Sequence, residues 1–161
     1  MNSNNILFAK VLFLITFVIT SCTISNKEVI FSENELPVRI PFAGNSYIIE
    51  PLGSDFIDNY TGKFKDEWTD ADLIISTFFR VGAEGKLNIG FEGSNKSGTS
   101  IIRFTVDGRN YDVKVSGDTT SLYGITTINR LTPGYVKVDF QGISKTGDTF
   151  GEITHFRIGG D

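Results

Sequence analysis

The sequence predicts an all-β fold: an antiparallel sandwich of two packed sheets with about eight or nine strands. Three observations carry this. Apolar and polar residues alternate with period two over several strand-length runs, glycine-bearing turn signals separate those runs, and no segment keeps a helical period. Strands with one apolar and one polar face bury the apolar face most simply against a second sheet.

Taken in order, residues 47–51 form the first clear strand pattern, and Leu73–Val81 (LIISTFFRV) is apolar on both faces, as in a central strand. Between them, residues 63–72 hold at most one short helical turn. Leu87, Ile89 and Phe91 alternate with Lys86, Asn88 and Glu92. Ile102, Phe104 and Val106 then alternate with Arg103 and Thr105, and Tyr111, Val113 and Val115 with Asp112 and Lys114. Asp107-Gly108 separates the last two runs. That pair favours the tight turn whose twist matches paired strands, so 101–106 and 109–115 are expected to form a hairpin. Gly93–Thr99 (GSNKSGT) reads as a longer polar turn, and Pro133-Gly134 as another. Val136, Val138 and Phe140 line one face of a late strand, and residues 152–158 complete the set.

The N-terminus reads as an export signal. Lys10 is the only charge before a short apolar core, Val11–Ile19, too short for a permanent membrane helix. Small residues Thr20 and Ser21 lead to Cys22, the only cysteine of the chain. This arrangement resembles the bacterial lipoprotein signal, in which the cysteine is lipidated and becomes the new N-terminus. Ile19 stands where Leu is commoner. The expected organisation is a signal peptide over 1–21, lipidated Cys22 with a flexible tether over 22–36, and a β-sandwich over 37–161. The resemblance implies export and lipid anchoring to the bacterial cell envelope, at the outer membrane, with the lipid as the only membrane contact. A formal net charge of −4 over 161 residues argues against a nucleic-acid partner, which selects a basic face.

Several phrases resemble a known bacterial family. Ile40–Tyr47 (IPFAGNSY), Phe78–Val81 (FFRV), Gly85–Leu87 (GKL) and above all Gly134–Gly147 (GYVKVDFQGISKTG) are similar to DUF5077, a domain of unknown function usually found ahead of a second uncharacterised domain in secreted proteins. The resemblance covers about residues 37–160. It implies a jelly-roll sandwich of the galactose-binding-like kind, the architecture of many carbohydrate-binding modules.

Catalytic signals are sparse, and the sequence reads as a non-enzyme with no required cofactor. His155 is the only histidine and has no cysteine partner, which leaves no zinc site of the usual kind. A strand histidine at a surface or edge is the plainer reading. No nucleophile elbow, phosphate loop or dinucleotide fingerprint occurs. The acids Asp66, Glu67, Asp70 and Asp72 admit a carboxylate-dependent glycosidase, but acids this dense in a polar stretch are more often a solvated surface.

Asp55–Asp72 (DFIDNYTGKFKDEWTDAD) interleaves acids with aromatics. Sugars present apolar C–H faces, which aromatic rings cover, and hydroxyls, which carboxylates and cations bond. The expected glycan contacts are therefore Trp68, Tyr60, Asp66 and Asp70, with Tyr123 and Arg109. For Trp68, a plug at one end of the sandwich is the competing reading. Glu50, Asp55 and Asp72 are the candidate ligands of a structural Ca2+, although no EF-hand loop is present. The expected partner is a glycan. The alternative is an envelope protein docked on the sandwich, which would make the chain a structural or interaction module.

Overall fold

The computed structural model describes residues 28–50 and 68–161. The signal segment, Cys22, Asp55, Tyr60 and Asp66 lie outside the described residues. Among the described residues, seven antiparallel strands, where eight or nine are expected, follow one 3-10 turn at Glu33–Glu35: β1 (Val38–Pro41), β2 (Ser46–Glu50), β3 (Ile74–Val81), β4 (Gly85–Val106), β5 (Arg109–Arg130), β6 (Gly134–Lys145) and β7 (Glu152–Gly160). β4 and β5 pair along nearly their whole length as one long hairpin. On its other side, β4 pairs β7 through Leu87–Ser94 and β6 through Ser100–Val106. The hairpin therefore belongs to two sheets. One is four-stranded, β1–β7–β4–β5; the other is five-stranded, β2–β3–β6–β4–β5. This is the expected two-sheet sandwich, built from one hydrogen-bonded sheet folded over its own hairpin.

The Asp107-Gly108 turn forms as the dipeptide demands. Both residues adopt positive φ, 48° and 73°, and Val106 pairs Arg109 across it. The polar stretch Gly93–Thr99 does not turn the chain back, contrary to expectation. It stays within β4 as a run of register shifts, between Gly93 and Asn95 and between Asn95 and Thr99. Glycines and hydroxyl residues serve a bulge as readily as a turn, and here the bulge carries the strand from one sheet to the other.

The core lies where the inward rows of the two sheets meet. Phe91 and Phe156 of the four-stranded sheet face Phe104 and Phe140 of the five-stranded one, and all four are essentially fully buried. The Phe91–Phe104 ring centroids are 4.8 Å apart, Phe104–Phe156 6.2 Å and Phe140–Phe156 5.9 Å. Burying each such ring contributes about 2–3 kcal/mol.

The stretch expected to be a flexible tether is fixed to the domain in its described part. Leu36 is fully buried and packs over Gly90, where a Cβ would lie 2.7 Å from its Cδ1. A Cβ on Gly124 would collide with the Val29 carbonyl, and one on Gly159 with that of Glu35. In register, Gly124, Gly90 and Arg157 are neighbours, and Gly159 lies one outward position further along β7. These glycines form a trough on the outer face of the four-stranded sheet, and the segment before β1 crosses it. Arg157 fastens the crossing: its Nε donates to the Leu36 carbonyl at 2.7 Å and its Nη1 to Glu92 Oε1 at 2.5 Å. Glu92 Oε2 also accepts from Arg39 at 2.6 Å and lies 3.3 Å from His155 Nδ1.

Candidate functional site

β5 is the edge strand of both sheets, so its inward side chains meet the opening between them. Tyr111 pairs Phe104 and Val113 pairs Ile102 in the five-stranded sheet; Tyr123 pairs Phe91 in the four-stranded one. Each β5 residue of these pairs is only half-buried, whereas its β4 partner is fully buried. The result is a groove of about 610 Å³ along the sandwich edge. Tyr111, Val113, Tyr123 and Ile125 give it apolar lining from the inward row, and Asp112, Lys114, Ser116 and Glu28 are the polar residues along its rim.

The groove lining is tied to the rest of the domain by specific contacts. The Tyr123 ring stacks on Phe91 at 5.1 Å and 16°, and its hydroxyl donates to the Ser116 carbonyl at 2.8 Å. That second bond ties the two halves of β5 together across the bulge at Gly117. Asp112 accepts both Arg103 Nε and Arg103 Nη2, at 2.7 and 2.8 Å. This bidentate pairing orients the carboxylate and raises the Arg103 pKa, so the guanidinium stays charged. Lys114 is exposed and enters no ion pair among the described residues. Aromatic lining with a fixed carboxylate and an exposed ammonium at its rim offers both the apolar and the polar contacts that an amphipathic ligand uses.

The residues named from sequence are not gathered in one place. Tyr123 lines the groove, and Arg109 is exposed on the same strand at the hairpin turn. Trp68 is elsewhere and is 2% exposed. Its ring packs on Phe140 at 5.7 Å and Phe150 at 5.3 Å, and its Nε1 donates to the Asp70 carbonyl at 3.1 Å. A ring so enclosed offers no face to a sugar, so Trp68 is the plug and not the platform. Asp70 and Asp72 are exposed beside it, and the Asp70 carboxylate accepts the Asp72 amide at 2.8 Å, closing a local turn. No helical turn forms in the described residues 68–72. Of the calcium candidates, Glu50 ends β2 opposite Ile74, and Asp55 is outside the described residues. Among the described residues, no three His, Cys, Asp or Glu side chains are placed to hold a metal ion. Nor is any described helix long and apolar enough to cross a membrane. Sequence reasoning missed Tyr111, which reads as an ordinary core position until β5 is known to be an edge.

Comparison with known families finds a match to the domain of unknown function DUF5077 over residues 40–161. Comparison with curated proteins finds no match. Among solved structures, the chain is similar to the Podospora anserina GH26-CBM35 β-(1,4)-mannanase. The TM-score is 0.50 at 8% identity, over 77% of this chain and 27% of that one. It is also similar to a family 35 carbohydrate binding module from Clostridium thermocellum, with a TM-score of 0.44 and 15% identity over 77% of this chain and 98% of that one. A ruminal GH26 endo-β-1,4-mannanase aligns with a TM-score of 0.41 and 20% identity, over 55% of this chain and 18% of that one. The chain thus spans about a fifth to a quarter of the two mannanases. At these identities the likeness concerns the fold.

Proposed function

The chain belongs to the DUF5077 family, and from that premise we propose that it is a non-catalytic carbohydrate-binding domain, held to the cell envelope by a lipid on Cys22, that takes its glycan in the β5-edge groove. The observation that supports the reading is the groove itself: two tyrosines in an apolar lining, with a fixed Asp112 and an exposed Lys114 along the rim. The likeness to the Podospora anserina GH26-CBM35 mannanase supports it at the level of fold. Two features favour binding without catalysis. Asp112 is engaged at both oxygens by Arg103, and His155 sits in the Glu92 cluster on an outer sheet face, away from the groove.

The anchor reading rests on the placing of Cys22 behind Val11–Ile19. A mature N-terminus at an acylated Cys22, and release of a Cys22→Ser variant from the membrane fraction, are the expected results.

The binding test is a glycan array probed with the full chain in detergent, with calcium and with EDTA. Tyr111→Ala and the surface variant Lys114→Glu are the controls. Binding by the wild type that falls at least tenfold in both variants, with Lys114→Glu melting as the wild type does and Tyr111→Ala still folded, is the expected outcome. Binding that both variants retain would move the ligand out of the groove. A folded wild type that binds no glycan would overturn the reading in favour of a protein partner. Loss with EDTA alone would assign a calcium ion to the domain.

A further inference from the structure

The outer face of the five-stranded sheet carries a second constellation that shares no residue with the groove. Because Ile75, Thr77 and Phe79 of β3 and Val136, Val138 and Phe140 of β6 point inward, the alternate residues point out. Tyr47 lies opposite Ser76, Phe78 opposite Lys137, and Arg80 opposite Tyr135. Tyr47, Phe78 and Tyr135 therefore step diagonally over three adjacent strands, one pair of residues per strand. With strands about 4.8 Å apart and about 6.8 Å per two residues, the row spans roughly 16 Å. All three rings are exposed, by 54%, 39% and 73%, and the Tyr47 and Phe78 centroids are 6.3 Å apart. Single exposed aromatics are ordinary, but three in one row form a surface feature.

The charges beside the row are not balanced. Lys137 Nζ is 2.8 Å from Asp139 Oδ2, and Asp139 Oδ1 accepts the Ser76 hydroxyl, so that pair is internally satisfied. Arg80 is exposed and has no ion pair among the described residues, though it stands next to Tyr135 and two residues from Phe78. A cation without a counter-charge among the described residues, beside two of the three exposed rings, is locally complementary to an anion that also carries apolar faces. The planar guanidinium fork fits a carboxylate in two parallel hydrogen bonds.

We propose that this face is a second binding surface, for a linear polysaccharide bearing carboxylate groups, whose rings lie along Tyr47, Phe78 and Tyr135 while a carboxylate pairs with Arg80.

Affinity electrophoresis of the full chain in detergent tests this, with polygalacturonate in the gel and its fully methyl-esterified form as the neutral control. Retardation by the acid form only, weakened at least tenfold by Arg80→Ala and by Tyr135→Ala, is expected, as is weakening between 50 and about 500 mM salt. Both positions are exposed, so both variants should fold, and unchanged melting curves check that. The groove variant Lys114→Glu should leave this retardation in place, which separates failure here from failure of the groove reading. Equal retardation by the ester, or none by the acid form, would overturn the proposal. So would a wild-type dimer in solution that Tyr135→Ala dissociates, since that would assign the face to a second copy of the chain.

Discussion

The two outer faces of the sandwich are opposites. On the four-stranded sheet the outward row contains Gly90, Gly124 and Gly159, and the segment before β1 lies directly on their backbones. On the five-stranded sheet the outward row contains Tyr47, Phe78 and Tyr135, which remain exposed. A strand glycine removes the Cβ that would hold another backbone away. A large outward aromatic does the reverse: it projects a ring that gains free energy only when something covers it. The first face is thus completed by the chain itself, and the second is left for something else.

The largest effect should come from breaking the covered face. Leu36 is the apolar anchor of the crossing segment and is fully buried. Leu36→Ala should cost about 2–5 kcal/mol of unfolding free energy in chemical denaturation, as core truncations do. Gly159→Val attacks the same contact from the sheet side, because its side chain would occupy the place of the Glu35 carbonyl. A cost of about 1–3 kcal/mol is expected, with faster amide exchange in residues 29–36. If neither variant loses stability, the segment is merely laid on the sheet and the contrast between the faces fails.

A smaller effect should follow from loosening the clamp. Burial pushes the Glu92 pKa up, but hydrogen bonds from Arg157 and Arg39 and their charges outweigh it and hold it below its ordinary value of 4.5. A carboxyl with a lowered folded pKa stabilises the protein above its unfolded pKa, and that stability is lost as the pH falls through the folded one. Wild-type stability should therefore decline below about pH 4.5. Glu92→Gln should cost about 1.5–3 kcal/mol at pH 7, the worth of a hydrogen bond to a charged group, and flatten the acid limb. A variant that keeps the wild-type acid limb would show that other carboxyls govern it.

How much of this was legible beforehand depended on whether a feature is local. Period-two alternation places Ile102, Phe104, Tyr111 and Val113 on inward rows without any knowledge of neighbours, and Asp107-Gly108 dictates its own turn. The sandwich and the hairpin follow from such signals. The glycine trough does not, because Gly90, Gly124 and Gly159 come from three strands and become one surface only after pairing. The same holds for the groove: Tyr111 and Tyr123 are twelve residues apart on one strand, and the bulge about Gly117 brings both to one edge. Acids and aromatics interleaved near Trp68 suggested a binding loop, yet the Trp68 ring is turned into the core, where its area is better used.

The smallest expected effect on stability is the sharpest test of the open face. Tyr135 is 73% exposed, and its outward ring contributes little packing to the fold. Tyr135→Ala should stay within about 0.5 kcal/mol of the wild type, as surface substitutions do when they touch no cap, core or buried network. The strand beneath is secured independently, by β3 and β4 pairing on either side and by inward Val136 and Val138. A loss well above 1 kcal/mol would mean the ring is already engaged within the chain, and the two faces would then be equally covered. Unchanged stability together with lost polysaccharide retardation would separate the roles cleanly, with the glycine face closed for folding and the aromatic face kept open for binding.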